Sequence, residues 1–243
     1  MSLRIAIVGY GRMGQAVEQE ALGRGHNIVA RIGLDNQSEM DQLSPDVADA
    51  IIEFTHPETA LPNFRRLLPS GVPLVTGTTG WLSELEILKT EVLEAGQAFL
   101  YSSNFSPGVN ILFRLNKMLS RIMNQYPEFD GYVSEAHHRH KKDAPSGTAI
   151  SLAEQMLEGL DRKTTWVRNE LSDRSPAANE LSVASTRAGE IIGRHKVSYI
   201  SDIEEIEISH QAFNRRGFAL GAVLAAEWLT NKRGFYNFTD IFE

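Results

Sequence analysis

Cysteine is absent from the 243 residues. That excludes disulfides and thiolate metal sites, and it removes any inference about redox compartment from thiol usage. Long apolar runs are missing as well. No stretch approaches the ~20 residues that a membrane-spanning helix needs, and the amino terminus lacks the apolar core of a secretory signal. Positive charge is scarce: 24 Lys and Arg stand against 31 Asp and Glu, for a formal net charge of −7, which argues against nucleic acid as a general partner. There are no internal repeats and no low-complexity segments. What remains, at 42% hydrophobic residues, is a chain with ample core for one large domain or two smaller ones. Its composition agrees with a cytoplasmic enzyme acting on a small molecule. An acidic protein that binds anions has to concentrate its cations locally, and residues 137–142 are where this one does so.

The segment runs Glu135-Ala-His-His-Arg-His-Lys-Lys-Asp-Ala-Pro-Ser-Gly-Thr148. Its fourteen residues hold three histidines, two lysines, an arginine and two carboxylates. After Thr148 the apolar residues Ile150, Ala153, Leu157 and Leu160 recur at spacings of three and four, the mark of a helix with one buried face. Ser146 or Thr148 is placed to cap that helix, and Gly147 lets a ligand approach the backbone. The first turn of a helix offers unpaired N–H groups and a partial positive charge, so a carboxylate or phosphate is at home there. Lys141 and Lys142 add full charge just upstream. The segment reads as an anion clamp with a histidine acid or base beside it. Two blander readings compete. A basic polar run is often only a solvated loop. The three histidines could also form a metal cluster, but adjacent histidines on an extended chain point to opposite sides and two lysines repel a cation, so no metal is expected.

A second signal lies at the amino terminus. Arg4-Ile-Ala-Ile-Val8 is a short apolar strand ending in Gly9-Tyr-Gly11-Arg-Met-Gly14, followed by a helix with Met13, Val17, Ala21 and Leu22 on its apolar side. This is the G-x-G-x-x-G pattern of a dinucleotide-binding turn. Gly9 permits the bend, Gly11 lets a pyrophosphate approach the backbone, and Gly14 lets helix and strand come close. The pattern alone is weak and could be a ligand-free glycine-rich turn. A second strand from Asn27 to Leu34, ending in Asp35, 21 residues beyond Gly14, supplies the context that strengthens it. A carboxylate there accepts hydrogen bonds from an adenosine ribose.

Strands and helices then alternate. Strands are expected at Ala50–Phe54, Pro73–Thr76 and Ala98–Tyr101, with helices around Ala60–Leu68 and from a Ser83 cap to Ala95. Such alternation implies a doubly wound, Rossmann-type parallel sheet. Ligands of such sheets sit beyond the carboxyl ends of the strands, here Phe54-Thr55, Gly77-Thr78-Thr79-Gly80 and Ser103-Asn104-Phe105-Ser106. The character changes after Pro107. A helix over Asn110–Met123 precedes a strand at Tyr132–Ser134, the basic segment and its helix, a long loop over 161–180, and strands at Leu181–Thr186, Ile191–Ile200 and Glu204–Ala212. In the last strand Ile206, Ile208 and His210 alternate with Glu205, Glu207 and Ser209, a period of two with one face buried. The expectation is an α/β chain with a second α+β domain on a mixed, mostly antiparallel sheet. A final helix, Phe218–Leu229, is expected to return to the first domain. The boundaries follow: 1–106 with 215–243 for a dinucleotide-binding domain, and 107–214 for substrate binding and oligomerisation.

These motifs resemble the 4-hydroxy-tetrahydrodipicolinate reductase family, historically dihydrodipicolinate reductase, of the bacterial diaminopimelate–lysine pathway. The resemblance covers essentially the whole chain. The family signature E-[LA]-H-H-x-x-K-x-D-A-P-S-G-T-A is met at every fixed position from Glu135 to Ala149. Gly9-Tyr-Gly-Arg-Met-Gly14, Phe54-Thr55, Gly77-Thr-Thr-Gly80 and Asn104-Phe-Ser106 are similar too. Arg187, Gly189, Gly193 and His195 fall on the family's R-x-G…G-x-H pattern, and Arg215, Phe218, Ala219 and Gly221 on its R-x-x-F-A-x-G pattern.

The resemblance implies hydride transfer from NADH or NADPH to C4 of a cyclic dicarboxylic imine, formed when the 4-hydroxy substrate loses water. It implies His137 as the acid that protonates the substrate ring and Lys141 as the second catalytic residue. His138 is implied to bind substrate, and Ser146, Gly147 and Thr148 to hold a carboxylate at the helix start. Gly77, Thr78, Thr79, Ser103, Asn104 and Phe105 are implied to line the nicotinamide, and Arg12 and Met13 the pyrophosphate. It also implies a homotetramer joined through the second domains. Departures exist. The chain is short for the family, and no arginine follows Asp35. Either Asp35 or Gly33 is the position aligned with the family's ribose-binding acid. Without a cation there, a 2′-phosphate has less to hold it, so NADH is the expected nucleotide. A polyol or amino-acid dehydrogenase of the same plan would not need the dicarboxylate clamp. A non-catalytic sensor would not need both His137 and Lys141.

Overall fold

The computed structural model describes residues 2–168 and 174–242. The first half of the chain comprises β1 (Arg4–Val8), α1 (Arg12–Gly23), β2 (Asn27–Ile32), β3 (Ala50–Glu53), α2 (Pro57–Leu67), β4 (Leu74–Thr76), α3 (Leu85–Glu94), β5 (Ala98–Tyr101) and α4 (Pro107–Met123). The second half comprises β6 (Asp130–His137), α5 (Gly147–Gly159), β7 (Thr165–Arg168), β8 (Glu180–Arg187), β9 (Gly193–Ile200), β10 (Glu205–Ala212), α6 (Arg216–Leu229) and β11 (Gly234–Asn237). Two compact units result, one from residues 1–107 and 216–243, the other from 108–215.

The first unit is built on a six-stranded sheet in the order β11-β5-β4-β3-β1-β2, with every pairing parallel. A parallel sheet needs cover on both faces, and strand alternation provides for it. Ile5, Ile7, Ala50, Ile52, Val75 and Leu100 pack with Val17 and Ala21 of α1 and with Ala219, Ala222, Val223 and Ala226 of α6. Their neighbours Ala6, Val8, Ile51, Leu74 and Phe99 face the other way, against Phe64 and Leu67 of α2 and Leu88 and Val92 of α3. Each fully buried aliphatic or aromatic side chain of this kind is worth about 1.5–3 kcal/mol, so these two layers fix the strand register. The chain order reverses between β1 and β3, which places the crevice beyond their carboxyl ends.

Several elements differ from expectation. The second strand stops at Ile32, because Asn36 closes a turn by accepting from the Gly33 amide (2.8 Å) and donating to the Arg31 carbonyl (3.0 Å). Ser83 caps nothing: a 3-10 turn occupies Leu82–Glu84, and α3 starts after it with no side-chain cap. A closing strand, β11, pairs with β5. Its four half-buried residues carry too little period-two contrast to be recognised from sequence.

The second unit is a five-stranded mixed sheet, β10-β9-β6-β8-β7. Its pairings divide evenly, antiparallel for β10–β9 and β9–β6, parallel for β6–β8 and β8–β7, so the antiparallel share is smaller than the run of strands suggested. One face is covered by α4 and α5, whose Leu112, Met123, Ala149, Leu152, Ala153 and Met156 pack on Val133, Val183, Val197 and Tyr199. The buried side of α5 is therefore rotated from the expected one: Ile150 and Leu157 lie at its margin, while Ala149, Leu152 and Met156 are inside. The expected loop over 161–180 contains β7, and its residues 169–173 fall outside the described ones. At the edge of the sheet, β10 alternates as expected but its apolar side is only half-buried. Most consequential is β6, which continues to His137 rather than ending at Ser134 and carries the start of the basic segment into the sheet.

Candidate active site

In the first unit the carboxyl ends of four adjacent strands open into a cleft of about 780 Å3, a size suited to a cofactor-scale ligand. Gly9, Gly11, Arg12 and Met13 form one wall, Phe54, Thr55, Gly77, Thr78 and Thr79 another, and Gly33 and Asp35 a third part. Gly9 has φ of +92°, and a Cβ there would lie 2.0 Å from the Phe54 carbonyl oxygen, so only glycine makes this turn. At Gly14 a Cβ would lie 2.4 Å from the Gly9 carbonyl oxygen, so α1 is drawn tight against the turn. Nothing stands within 4 Å of the corresponding position on Gly11, which leaves the helix start open to a ligand. The fit to a dinucleotide phosphate is therefore good: an open glycine backbone, the first turn of α1, and the Arg12 cation beside it. Arg31 also lines the cleft, but its guanidinium is bonded to Glu18, which in turn bonds the Tyr10 hydroxyl. Its charge is compensated.

Behind this wall lies Glu53, the last residue of β3, with no exposed surface. It accepts hydrogen bonds from the Thr55 amide (3.0 Å), the Thr55 hydroxyl, the Thr76 hydroxyl (2.5 Å) and the Thr78 hydroxyl (3.0 Å). Burial pushes the carboxyl pKa up, and these donors act against it.

In the second unit the alternation of β6 puts Gly131, Val133, Glu135 and His137 on the buried face. The apolar core gives way to Glu135 and His137 at the strand end. His137 Nδ1 lies 2.5 Å from Glu135 Oε2. Arg187, directly across from His137 on β8, grips the same carboxylate with both terminal nitrogens, Nη2 to Oε1 at 2.8 Å and Nη1 to Oε2 at 3.0 Å. It also donates to the Asp143 carbonyl at 2.6 Å. The Ser146 amide adds a bond to Glu135 Oε1 at 3.3 Å. Burial works against ionisation of Glu135, but hydrogen bonds from His137, Arg187 and Ser185 hold its pKa down to about 2. A carboxylate so clamped stays charged and keeps a proton on His137 Nδ1.

His195 sits beside His137, ring centroids 5.1 Å apart. Burial, with His137 next to it, depresses its pKa to about 4, so near neutral pH it carries no charge. Its Nε2 lies 3.2 Å from the Ser146 hydroxyl, and that hydroxyl accepts from the Ala149 amide as the α5 cap. Ser146, not Thr148, is the cap. Lys141 is half-buried with its ammonium 2.8 Å from Asp143, His138 is half-buried, and Lys142 is exposed. Gly147 has open space where a Cβ would stand, so the first turn of α5 can be reached. Among the described residues no group of three or more His, Asp or Glu side chains is arranged to hold a metal ion.

The structure thus gathers Glu135, His137, Lys141 and Ser146 in one unit and Gly9, Gly11, Arg12, Met13, Asp35, Phe54, Thr55, Gly77, Thr78 and Thr79 in the other. Four expected cofactor residues are not on the cleft wall. Gly14 is spent on closing helix against turn. Ser103, Asn104 and Phe105 belong to a loop bonded to itself, with the Ser102 hydroxyl donating to the Asn104 carbonyl and the Ser106 amide to Asn104 Oδ1. The Phe105 ring is in the core against Phe54 and Phe238. Glu135, Arg31 and Glu53 have no role legible from sequence, since strand register and hydrogen-bond partners are tertiary facts.

Dihydrodipicolinate reductase family models match residues 3–105 (its N-terminus) and 108–242 (its C-terminus). The chain belongs to this family. A 4-hydroxy-tetrahydrodipicolinate reductase of Christiangramia forsetii is 39% identical over 239 residues, covering 98% of this chain and 97% of that protein. One from Archaeoglobus fulgidus is 33% identical over 267 aligned positions, covering 99% and 100%. The fold is shared with a dipicolinate-bound dihydrodipicolinate reductase from Paenisporosarcina sp. TG-14, with a TM-score of 0.80 at 19% identity over 99% of this chain and all of that one.

Proposed function

We propose that this chain reduces 4-hydroxy-tetrahydrodipicolinate to tetrahydrodipicolinate with a nicotinamide nucleotide, and that His137 delivers the proton. The observation that carries this reading is the contact of His137 Nδ1 with Glu135 Oε2 at 2.5 Å, with Arg187 clamping the carboxylate from behind. One ring nitrogen is thereby committed, and Nε2 is left as the acid. The bound nicotinamide supplies the hydride; the chain supplies the proton and the charge. A proton given from His137 Nε2 quenches the electron density that reduction places on the substrate ring.

A dicarboxylate substrate needs two anion sites. The open first turn of α5 at Gly147 and Thr148 serves one carboxylate. Lys141, freed from Asp143 by a better partner, stabilises the other and the developing negative charge, and His138 adds a donor. In the nucleotide cleft, the start of α1 with Arg12 takes the pyrophosphate and Asp35 accepts from the ribose hydroxyls. Arg31 is neutralised by Glu18, so a 2′-phosphate beside Asp35 meets an anion and a compensated cation. We therefore assign NADH as the preferred nucleotide.

The test is a coupled assay in which the upstream synthase forms the unstable substrate from pyruvate and aspartate semialdehyde, with NADH and NADPH run in parallel. Loss of reduced-nicotinamide absorbance that depends on the synthase is the expected result. No oxidation of either nucleotide would overturn the assignment. A kcat/KM ratio tenfold or more in favour of NADPH would overturn the nucleotide preference alone.

A further inference from the structure

The mechanism above makes no use of the most deeply buried carboxyl group in the first unit. The ionisation state of Glu53 can be read from its hydroxyl partners. The Thr76 hydroxyl already accepts from the Thr78 amide (3.2 Å), and the Thr78 hydroxyl from the Thr55 amide (2.8 Å). The Thr55 hydroxyl accepts from Asn63 Nδ2 (3.3 Å). Among the described residues, Glu53 is the one acceptor that the hydroxyl protons of Thr76 and Thr78 reach. Burial raises the pKa of this carboxyl, and four donors converging on it fill its acceptor positions and favour the charged form against that burial. The arrangement is that of an ionised carboxylate with its four donors aimed inward.

Thr55 and Thr78 hold Glu53 with one side and face the cleft with the other. They lie at the end of the cleft opposite the ribose-binding Asp35, with the glycine turn between. On the nucleotide reading given above, that end receives the nicotinamide. The nicotinamide ring is neutral when reduced and positive when oxidised. We propose that Glu53 is a fixed buried anion behind the nicotinamide end of the cleft, favouring the oxidised nucleotide over the reduced one and so easing hydride departure. It acts through its field and through the threonines, as a positioning residue rather than a catalytic one. A merely structural pin would affect both redox forms alike.

The experiment is direct titration of wild type, Glu53→Gln and Thr76→Val with oxidised and reduced nucleotide separately, by calorimetry, using NAD+ with NADH and NADP+ with NADPH. Glu53→Gln keeps the size and removes the charge, so it should weaken the oxidised form relative to the reduced one on the order of tenfold. Thr76→Val removes one buried donor and touches no cleft surface. Loss of that donor raises the carboxyl pKa and lowers its charged fraction, so it should move the same ratio in the same direction by a smaller factor, and it decides the matter if Glu53→Gln does not fold. Equal weakening of both forms in the folded variants would overturn the inference while leaving the cleft assignment standing. Failure of wild type to bind either form would overturn the cleft assignment itself, and the inference with it.

Discussion

His137 differs from its neighbours His138 and His140 in having a buried carboxylate at hydrogen-bond distance behind its ring; His140 meets Glu190 only across 3.9 Å at the surface. On the proposed reading that contact fits His137 to act as an acid, and it makes Glu135 the residue to perturb. Glu135→Gln keeps the shape but removes the carboxylate that holds His137 Nδ1 and leaves Arg187 without a counter-ion. Its kcat should fall about 10²-fold or more, with a stability loss of roughly 3 kcal/mol from the broken buried pair. Steady-state kinetics beside thermal unfolding would check both. The same cluster sets the acid sensitivity of the fold. The Glu135 carboxyl is lowered from 4.5 to about 2, so its contribution is complete above pH 4.5 and is lost as pH falls toward 2. His195 is lowered from 6.5 to about 4. The unfolded chain takes up that proton first, so stability present above pH 6.5 drains away between pH 6.5 and 4, by about 3 kcal/mol. Unfolding midpoints measured across that range should fall with pH, and His195→Gln should flatten the pH 6.5 to 4 part of the curve. At this scale the sequence was legible in residue identity but not in pairing. The segment from Glu135 to Thr148 stood out by its density of titratable groups. That Arg187, 52 residues further on, closes the clamp depends on the β6–β8 register, which no local pattern encodes.

Two helix starts are proposed to carry the binding chemistry, and each depends on a small residue. At α1, a Cβ on Gly14 would collide with the Gly9 carbonyl oxygen. Gly14→Ala should therefore cost roughly 1–3 kcal/mol through forced separation of helix and turn and weaken nucleotide binding by roughly tenfold or more, read by titration. At α5, Ser146 accepts from the Ala149 amide and touches His195. Ser146→Ala should destabilise by about 1 kcal/mol, the usual cost of a lost cap, measured by denaturant unfolding. Elements with a strong pattern were readable in advance: the β1–glycine turn–α1 unit, the β3 and β5 strands and α6 all rest on apolar runs or clear periodicity. Those misjudged had weak patterns. β7 and β11 are four-residue strands without buried alternation, and β6 was cut short because its last turns of alternation are written in Glu and His rather than in apolar residues.

Over the whole molecule there are two units, a parallel sheet with a nucleotide-sized cleft and a mixed sheet that carries the Glu135–His137 pair and the open helix start proposed to serve as acid and anion site. Both halves were legible in the sequence because each carries a local motif. The Ser103–Phe105 segment lies off the cleft wall because a strand-end position says where a loop begins, not which of its side chains turn inward. The central claim joins the halves: the chain is a reductase whose proton comes from His137. The measurement that tests it most directly is the rate of synthase-dependent nucleotide oxidation by His137→Ala beside wild type, with nucleotide affinity measured on both. The account predicts a fall in kcat of about 10²–10⁴-fold with a much smaller change in KM and unaltered nucleotide binding. A near-normal kcat would contradict it and remove His137 from the role of proton donor.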